Sequence, residues 1–101
     1  METYLIRFTV RPDQRERFLE LLTGVLERMR HEDAFIDARL CQVSDRPNEF
    51  VLHETWASRN DVVEVQLHRP YRQAWHEALP ELLEAEREIT ILSPLWPSAS
   101  G

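Results

Sequence analysis

The sequence contains no lysine; all 12 of its basic residues are arginine. A Schiff-base lysine, a P-loop lysine and every other lysine nucleophile are thereby excluded. Glycine is almost as scarce, being confined to Gly24 and Gly101. No glycine-rich loop can bring backbone amides against a pyrophosphate, which excludes a nucleotide-binding fold of that kind. Cys41 is the single cysteine, so no internal disulfide can form, in keeping with a reducing compartment. No run approaches the ~18 apolar residues that a membrane helix needs, and the opening METYLIRF has no basic region followed by an apolar core. The sequence is therefore read as cytoplasmic. With 18 acidic residues the formal charge is -6, which repels a phosphate backbone or an anionic membrane surface. Neither nucleic acid nor membrane is an expected partner.

What remains is 101 residues, 43% hydrophobic and 30% charged, enough for one core. In Tyr4 to Val10, Tyr4, Ile6, Phe8 and Val10 alternate with Leu5, Arg7 and Thr9, the pattern of a strand. After Pro12 and Asp13, the residues Phe18, Leu21, Leu22, Val25, Leu26 and Met29 recur at helical spacing, predicting an amphipathic helix that ends near His31. Ala34 to Val43 suits a second strand, Ser44 to Asn48 a turn, and Phe50 to Trp56 a third strand returning as a hairpin. Ser58 is the expected N-cap of a helix reaching about Leu67, Pro70 the start of another that Pro80 bends or restarts, and Glu88 to Leu92 a last strand. This order is that of an α+β ferredoxin-like sandwich, a split βαβ with an antiparallel sheet, in a domain at 1–93 with a tail at 94–101. Its helices cover one sheet face. The other carries Leu5, Val51 and either Ile36 or Phe35, so a second copy is expected to cover it in a dimeric α+β barrel.

His76-Glu77 begins like a zinc-protease helix, but Pro80 occupies the position of the second histidine. His31, His53 and His68 show no ligand spacing, so no metal is expected. The serines lie in turns, a cap or the tail without a nucleophile elbow. Cys41, inside an apolar strand, reads as a small buried hydrophobe. Glu54 shares its strand face with Phe50, Leu52 and Trp56, and a carboxylate among apolar neighbours needs a partner, for which an arginine is expected. Trp56, at a strand end where a helix departs, reads either as core or as the mouth of a pocket.

Ile6 through Pro12 with the long helix behind it, Phe50 through Glu54-Thr55-Trp56-Ala57-Ser58, and Leu67 with Pro70-Tyr71 and Leu82-Leu83 together resemble the antibiotic biosynthesis monooxygenase family from Tyr4 to about Leu92. The resemblance implies a ferredoxin-like homodimer with a pocket between sheet and helices in each subunit. It also implies oxidation of a phenolic, quinol-like or polyketide-like aromatic by O₂ without flavin, haem or metal. The implied catalytic set is His76, Tyr71 and Trp56, with Gln66, Ile6 and Phe8 as substrate contacts. Trp56, Tyr71, Gln66 and His76 are expected to border one pocket, with His76 as proton acceptor because its unperturbed pKa is near neutral. Many members carry histidine where this chain has Gln66 and Tyr71, so a ligand-binding or regulatory barrel without chemistry is the competing reading. The haem-degrading branch would use His76 as axial ligand, but this chain has Ile6 and Gln66 where that branch has Asn and Trp.

Overall fold

The computed structural model describes residues 1–96. Strand β1, Glu2–Thr9, is the central organiser. Its alternation buries Tyr4, Ile6 and Phe8, with Val10 following, on one side. On one flank β1 pairs antiparallel with β3, Arg46–Trp56, and on the other with β4, Glu88–Leu92. β3 also pairs with β2, Phe35–Val43, which completes the antiparallel sheet in the order β2-β3-β1-β4. This is the expected ferredoxin-like topology. The register sets Tyr4 beside Glu54 and Ile91, and Ile6 beside Leu52 and Ile89, so the helix-facing side of three strands is continuous.

The β2–β3 hairpin is tighter than the turn expected over Ser44 to Asn48. Asp45 takes a positive φ of 68°, which closes the turn within Ser44-Asp45, and β3 begins at Arg46. Pro47 is accommodated because Pro47 to Glu49 lie between the pairs Gln42–Phe50 and Val43–Arg46, where no amide is required by β2.

Helix α1, Arg15–Met29, follows a short 3₁₀ turn at Pro12–Gln14. Phe18, Leu22, Val25 and Met29 form its buried stripe, one side chain per turn. Helix α2, Arg59–Glu64, starts where expected, Ser58 Oγ accepting from the Asp61 amide at 3.3 Å. It stops short of Leu67 and gives way to 3₁₀ turns at Gln66–His68 and Pro70–Arg72. Helix α3, Gln73–Leu82, then runs through Pro80 without a break. The proline removes one amide only in the last turn, and the Leu83 amide closes the helix on the Leu79 carbonyl at 3.0 Å. The core lies between the sheet and α1 and α3, around Phe8, Phe18, Phe50 and Trp75.

On the far side of the sheet lie Leu5, Val51, Arg7, His53 and Arg39. Cys41 belongs to this set. Its pairing with Val51 turns it away from the helices, so it is exposed, and the expectation of a buried thiol is corrected by the register. Ile36 is the extra residue of a bulge between Phe35 and Asp37 and is likewise exposed, whereas Phe35 packs edge-on against Trp56 at 5.5 Å. In the expected tail, Leu95 and Trp96 are almost fully exposed; its positions 97–101 lie outside the described residues.

Candidate active site

A cavity of about 170 Å³ sits between the helix-facing side of the sheet and the helices. Strand β1 supplies its floor through Tyr4, Ile6 and Phe8, and β3 adds Leu52 and Glu54. Leu22, Val25 and Met29 of α1 close the back, Val62 of α2 one side, and Trp75 and His76 of α3 another. Arg87, Ile89 and Ile91 form the rim toward β4. An apolar cavity of about 150 Å³ accepts benzene, so this one matches a single aromatic ring with small substituents. Its aromatic wall is braced. Phe8 meets Phe18 at 5.1 Å and Trp75 at 5.7 Å between ring centroids, both edge to face.

Polar groups enter this apolar lining at few points. Glu54 is only 6% exposed, and one of its oxygens accepts a hydrogen bond from Trp56 Nε1 at 3.1 Å. Burial pushes its carboxyl pKa above the ordinary value; the Trp56 bond and the charges of Arg72 and Arg87 oppose that shift. No arginine comes within ion-pair distance of Glu54 among the described residues, so the indole N–H takes the place of the expected guanidinium. His76 is half-buried. Burial lowers its pKa, reinforced by Arg87 and Arg72, which keeps the imidazole neutral near pH 7. It also borders two outer clefts, one with Arg87 and Ala85 and one with Arg69 and Gln73, and so lies between the cavity and the surface.

Arg72 belongs to the cavity wall although it is 7% exposed. Its guanidinium carbon lies 5.8 Å from the Trp56 ring centroid and 5.9 Å from that of Tyr71. Arg87 is half-buried at the rim, where burial lowers its pKa, Glu54 raises it and Arg72 lowers it.

The family model for antibiotic biosynthesis monooxygenases matches residues 1–78, well over half of the sequence. The chain belongs to the antibiotic biosynthesis monooxygenase family. Among curated proteins none matches the sequence. Similar solved structures include Rv0793 from Mycobacterium tuberculosis, 28% identical with a TM-score of 0.87 over 97% of this chain and 98% of that one. A candidate antibiotic biosynthesis monooxygenase from Nitrosomonas europaea is 22% identical with a TM-score of 0.87 over 95% of this chain and 100% of that one. A point mutant of SnoaB, a cofactor-independent oxygenase from Streptomyces nogalater, is 19% identical with a TM-score of 0.81 over 98% of this chain and 97% of that one. The match to the family model ends within α3, so the rim residues Arg87, Ile89 and Ile91 lie beyond it.

Of the residues that sequence reading assigned to the site of this family member, Ile6, Phe8 and His76 line the cavity. Trp56, Gln66 and Tyr71 do not: Trp56 and Tyr71 lie against Arg72 of the wall, and Gln66 lies behind Tyr71. The physical reason is that each is engaged elsewhere. The Trp56 N–H is taken up by Glu54, and Gln66 donates from Nε2 to Asp61 Oδ2 at 3.0 Å. Tyr71 donates its hydroxyl to Glu32 Oε2 at 2.9 Å, and burial together with that bond raises its pKa and holds it protonated. The expectation that Trp56, Tyr71, Gln66 and His76 border one pocket is therefore met by His76 alone. Arg72 and Arg87 had no periodic signal, since one lies on a 3₁₀ turn and the other on the approach to β4. Glu54 did have one, its alternation with Phe50, Leu52 and Trp56.

Proposed function

We propose that this chain oxidises a small, single-ring phenol or hydroquinone with O₂, without a resident cofactor, in the cytoplasm and as a homodimer. The observation that supports this most is one aromatic-walled cavity carrying two acid/base groups, Glu54 and His76, that burial shifts in opposite directions. Membership of the family supplies the reaction class.

In this reading Glu54 takes the phenolic proton. Its raised pKa makes it a stronger base than an ordinary carboxylate, and the Trp56 N–H fixes its orientation. The phenolate passes one electron to O₂, and the resulting phenoxyl and superoxide combine at an unsubstituted ring carbon, para to the oxygen in a phenol and ortho to it in a hydroquinone. The O–O bond of the peroxide then breaks as that carbon gives up its hydrogen as a proton, and the outer oxygen leaves with that proton and the transferred one as water. A phenol and O₂ are thus converted into a quinone and one water, and a hydroquinone and O₂ into a hydroxyquinone and one water. His76, between the cavity and the outer clefts, exchanges protons with solvent. Tyr4, Phe8 and Trp75 keep water from the anion, which strengthens every charge interaction around it. Tyr71, Trp56 and Gln66 act by positioning: the rings of Tyr71 and Trp56 lie against Arg72, and Gln66, held by Asp61, stands beside Tyr71.

The test is oxygen consumption with a panel of monocyclic phenols and hydroquinones, each run aerobically and anaerobically. Quinone formation that requires O₂ and proceeds in metal-free buffer is expected. Ligands that bind without any O₂ uptake across the panel would instead support a binding barrel without chemistry.

The dimer reading rests on the far sheet face, where Leu5 and Val51 are only partly covered, and on the exposed Leu92 at its edge. A face of this kind is stabilised by burial against a second copy. Sedimentation equilibrium at micromolar concentration is expected to give twice the 12.0 kDa chain mass. A single species at the chain mass would remove the dimer from the proposal.

A further inference from the structure

The cavity wall holds a cation without an ion-pair partner among the described residues. Arg72 is 7% exposed, and its Nε and Nη2 are fully buried with no hydrogen-bond partner among those residues. Buried guanidinium nitrogens are almost always paired, because leaving them dry and unpartnered is costly. Here the neighbouring rings of Trp56 and Tyr71 hold the group in place without satisfying those donors. Arg87 at the rim and Arg59 at the side add two further positive charges to the wall, against Glu54 as its one carboxylate among the described residues. A protein with a formal charge of -6 thus carries a locally positive pocket.

We propose that Arg72 is the seat of an anionic substituent, so that the substrate is a one-ring phenol bearing a carboxylate, with Arg87 as the second cation facing it. This rests on the oxygenase reading for the phenol and on the unpartnered guanidinium for the carboxylate. The planar fork of an arginine accepts a carboxylate through two parallel N–H bonds; Nε and Nη2 form one edge of that fork and have no accessible surface in this structure, so the carboxylate seats as the side chain turns that edge toward the cavity. Glu54 repels a second anion, so the carboxylate and the phenolic hydroxyl occupy different ends of the ring: the carboxylate at Arg72, the hydroxyl within reach of Glu54. Arg72 is in this sense a specificity-determining residue and takes no part in the proton transfer.

The test is anaerobic titration calorimetry, which reads binding apart from turnover, with 3-hydroxybenzoate and its neutral methyl ester as probes. Wild-type protein is expected to bind the acid about 10- to 100-fold more tightly than the ester. Arg72→Met is expected to abolish that preference, the acid losing more affinity than the ester, since the charged fork is lost. Arg72→Lys, which keeps the charge without the fork, is expected to retain part of the preference and serves if the methionine variant does not fold. Arg87→Met is expected to lower the preference by a smaller factor, its group being half in water. Equal binding of acid and ester by wild type, or a preference that survives Arg72→Met, would overturn the proposal. The same samples returned to air separate the two readings. Tight, Arg72-dependent binding of the acid without O₂ uptake leaves the anion seat standing and removes the oxygenase. O₂ uptake with phenols that is indifferent to the carboxylate does the reverse.

Discussion

Replacing Glu54 by glutamine is expected to lower kcat/KM for phenol oxidation about 10²- to 10⁴-fold, the usual loss on removing a general base, and at the same time to make the protein more stable at pH 7. The two effects have one cause. Burial raises the carboxyl pKa above its ordinary 4.5, with the Trp56 hydrogen bond, Arg72 and Arg87 acting against the shift. The folded state therefore binds the Glu54 proton more tightly than the unfolded chain does. Between pH 4.5 and the raised folded value, folding takes up a proton, and stability falls as pH rises through that window. Above it the whole cost of holding a carboxylate in an apolar cavity is present. The glutamine amide keeps the shape and can still accept from the Trp56 indole, so the variant avoids that cost. Thermal melts should show a higher Tm for Glu54→Gln at pH 7, by about 4–8 °C for each kcal/mol recovered, and the gap should close below pH 4.5. His76 works in the opposite sense, since its lowered pKa favours the neutral ring in the fold and its contribution is lost as pH falls below 6.5. Comparing variant with wild type at each pH cancels it. Unchanged activity in Glu54→Gln would remove the carboxylate from the mechanism; a lower Tm at pH 7 would show that its charge is compensated in the fold.

Phe18→Ala is expected to cost about 3–5 kcal/mol, a large part of the ~5–15 kcal/mol that holds a typical domain together. Phe18 is fully buried and touches three aromatic rings, Phe8 at 5.1 Å, Phe50 at 4.9 Å and Trp75 at 5.6 Å between centroids. Removing it takes away the buried area of the ring and leaves a space that the surrounding elements would have to collapse together to fill. Because Phe8 and Trp75 also form the cavity wall, the variant should lose ligand affinity even where it remains folded. Urea unfolding at one fixed protein concentration, which holds any association equilibrium constant, gives the measurement. A loss below about 1 kcal/mol would mean that the core repacks around the missing ring.

Much of the architecture was legible in the chain because strand and helix periods are local. The alternation from Tyr4 to Val10 and the recurrence of Phe18, Leu22, Val25 and Met29 each name a buried face without reference to any other segment. Ser58 as N-cap and Glu88 to Leu92 as last strand are equally local signals, and both stand in the structure. The turn at Ser44-Asp45 and the passage of α3 through Pro80 were decided by less local facts: a positive φ at Asp45, and the position of the proline in the last turn. Cys41 shows the limit most simply. Its strand reads as apolar throughout, and only the pairing of Cys41 with Val51 determines that it faces away from the helices.

The same division runs through the site. Sequence alone determined that a carboxylate, Glu54, stands on the buried face of β3, and that Ile6 and Phe8 look the same way from β1. That the anchor of Glu54 would be the indole two residues away, that Tyr71 would be taken by Glu32 39 residues distant, and that Arg72 and Arg87 would converge on one cavity was decided by the tertiary structure. The physical reason is range. A repeating pattern reports which side of an element is apolar, because burial of apolar surface acts on each residue separately. A hydrogen bond or an unpaired charge depends on which two particular atoms the packing brings within about 3 Å, and no period in the chain encodes that distance.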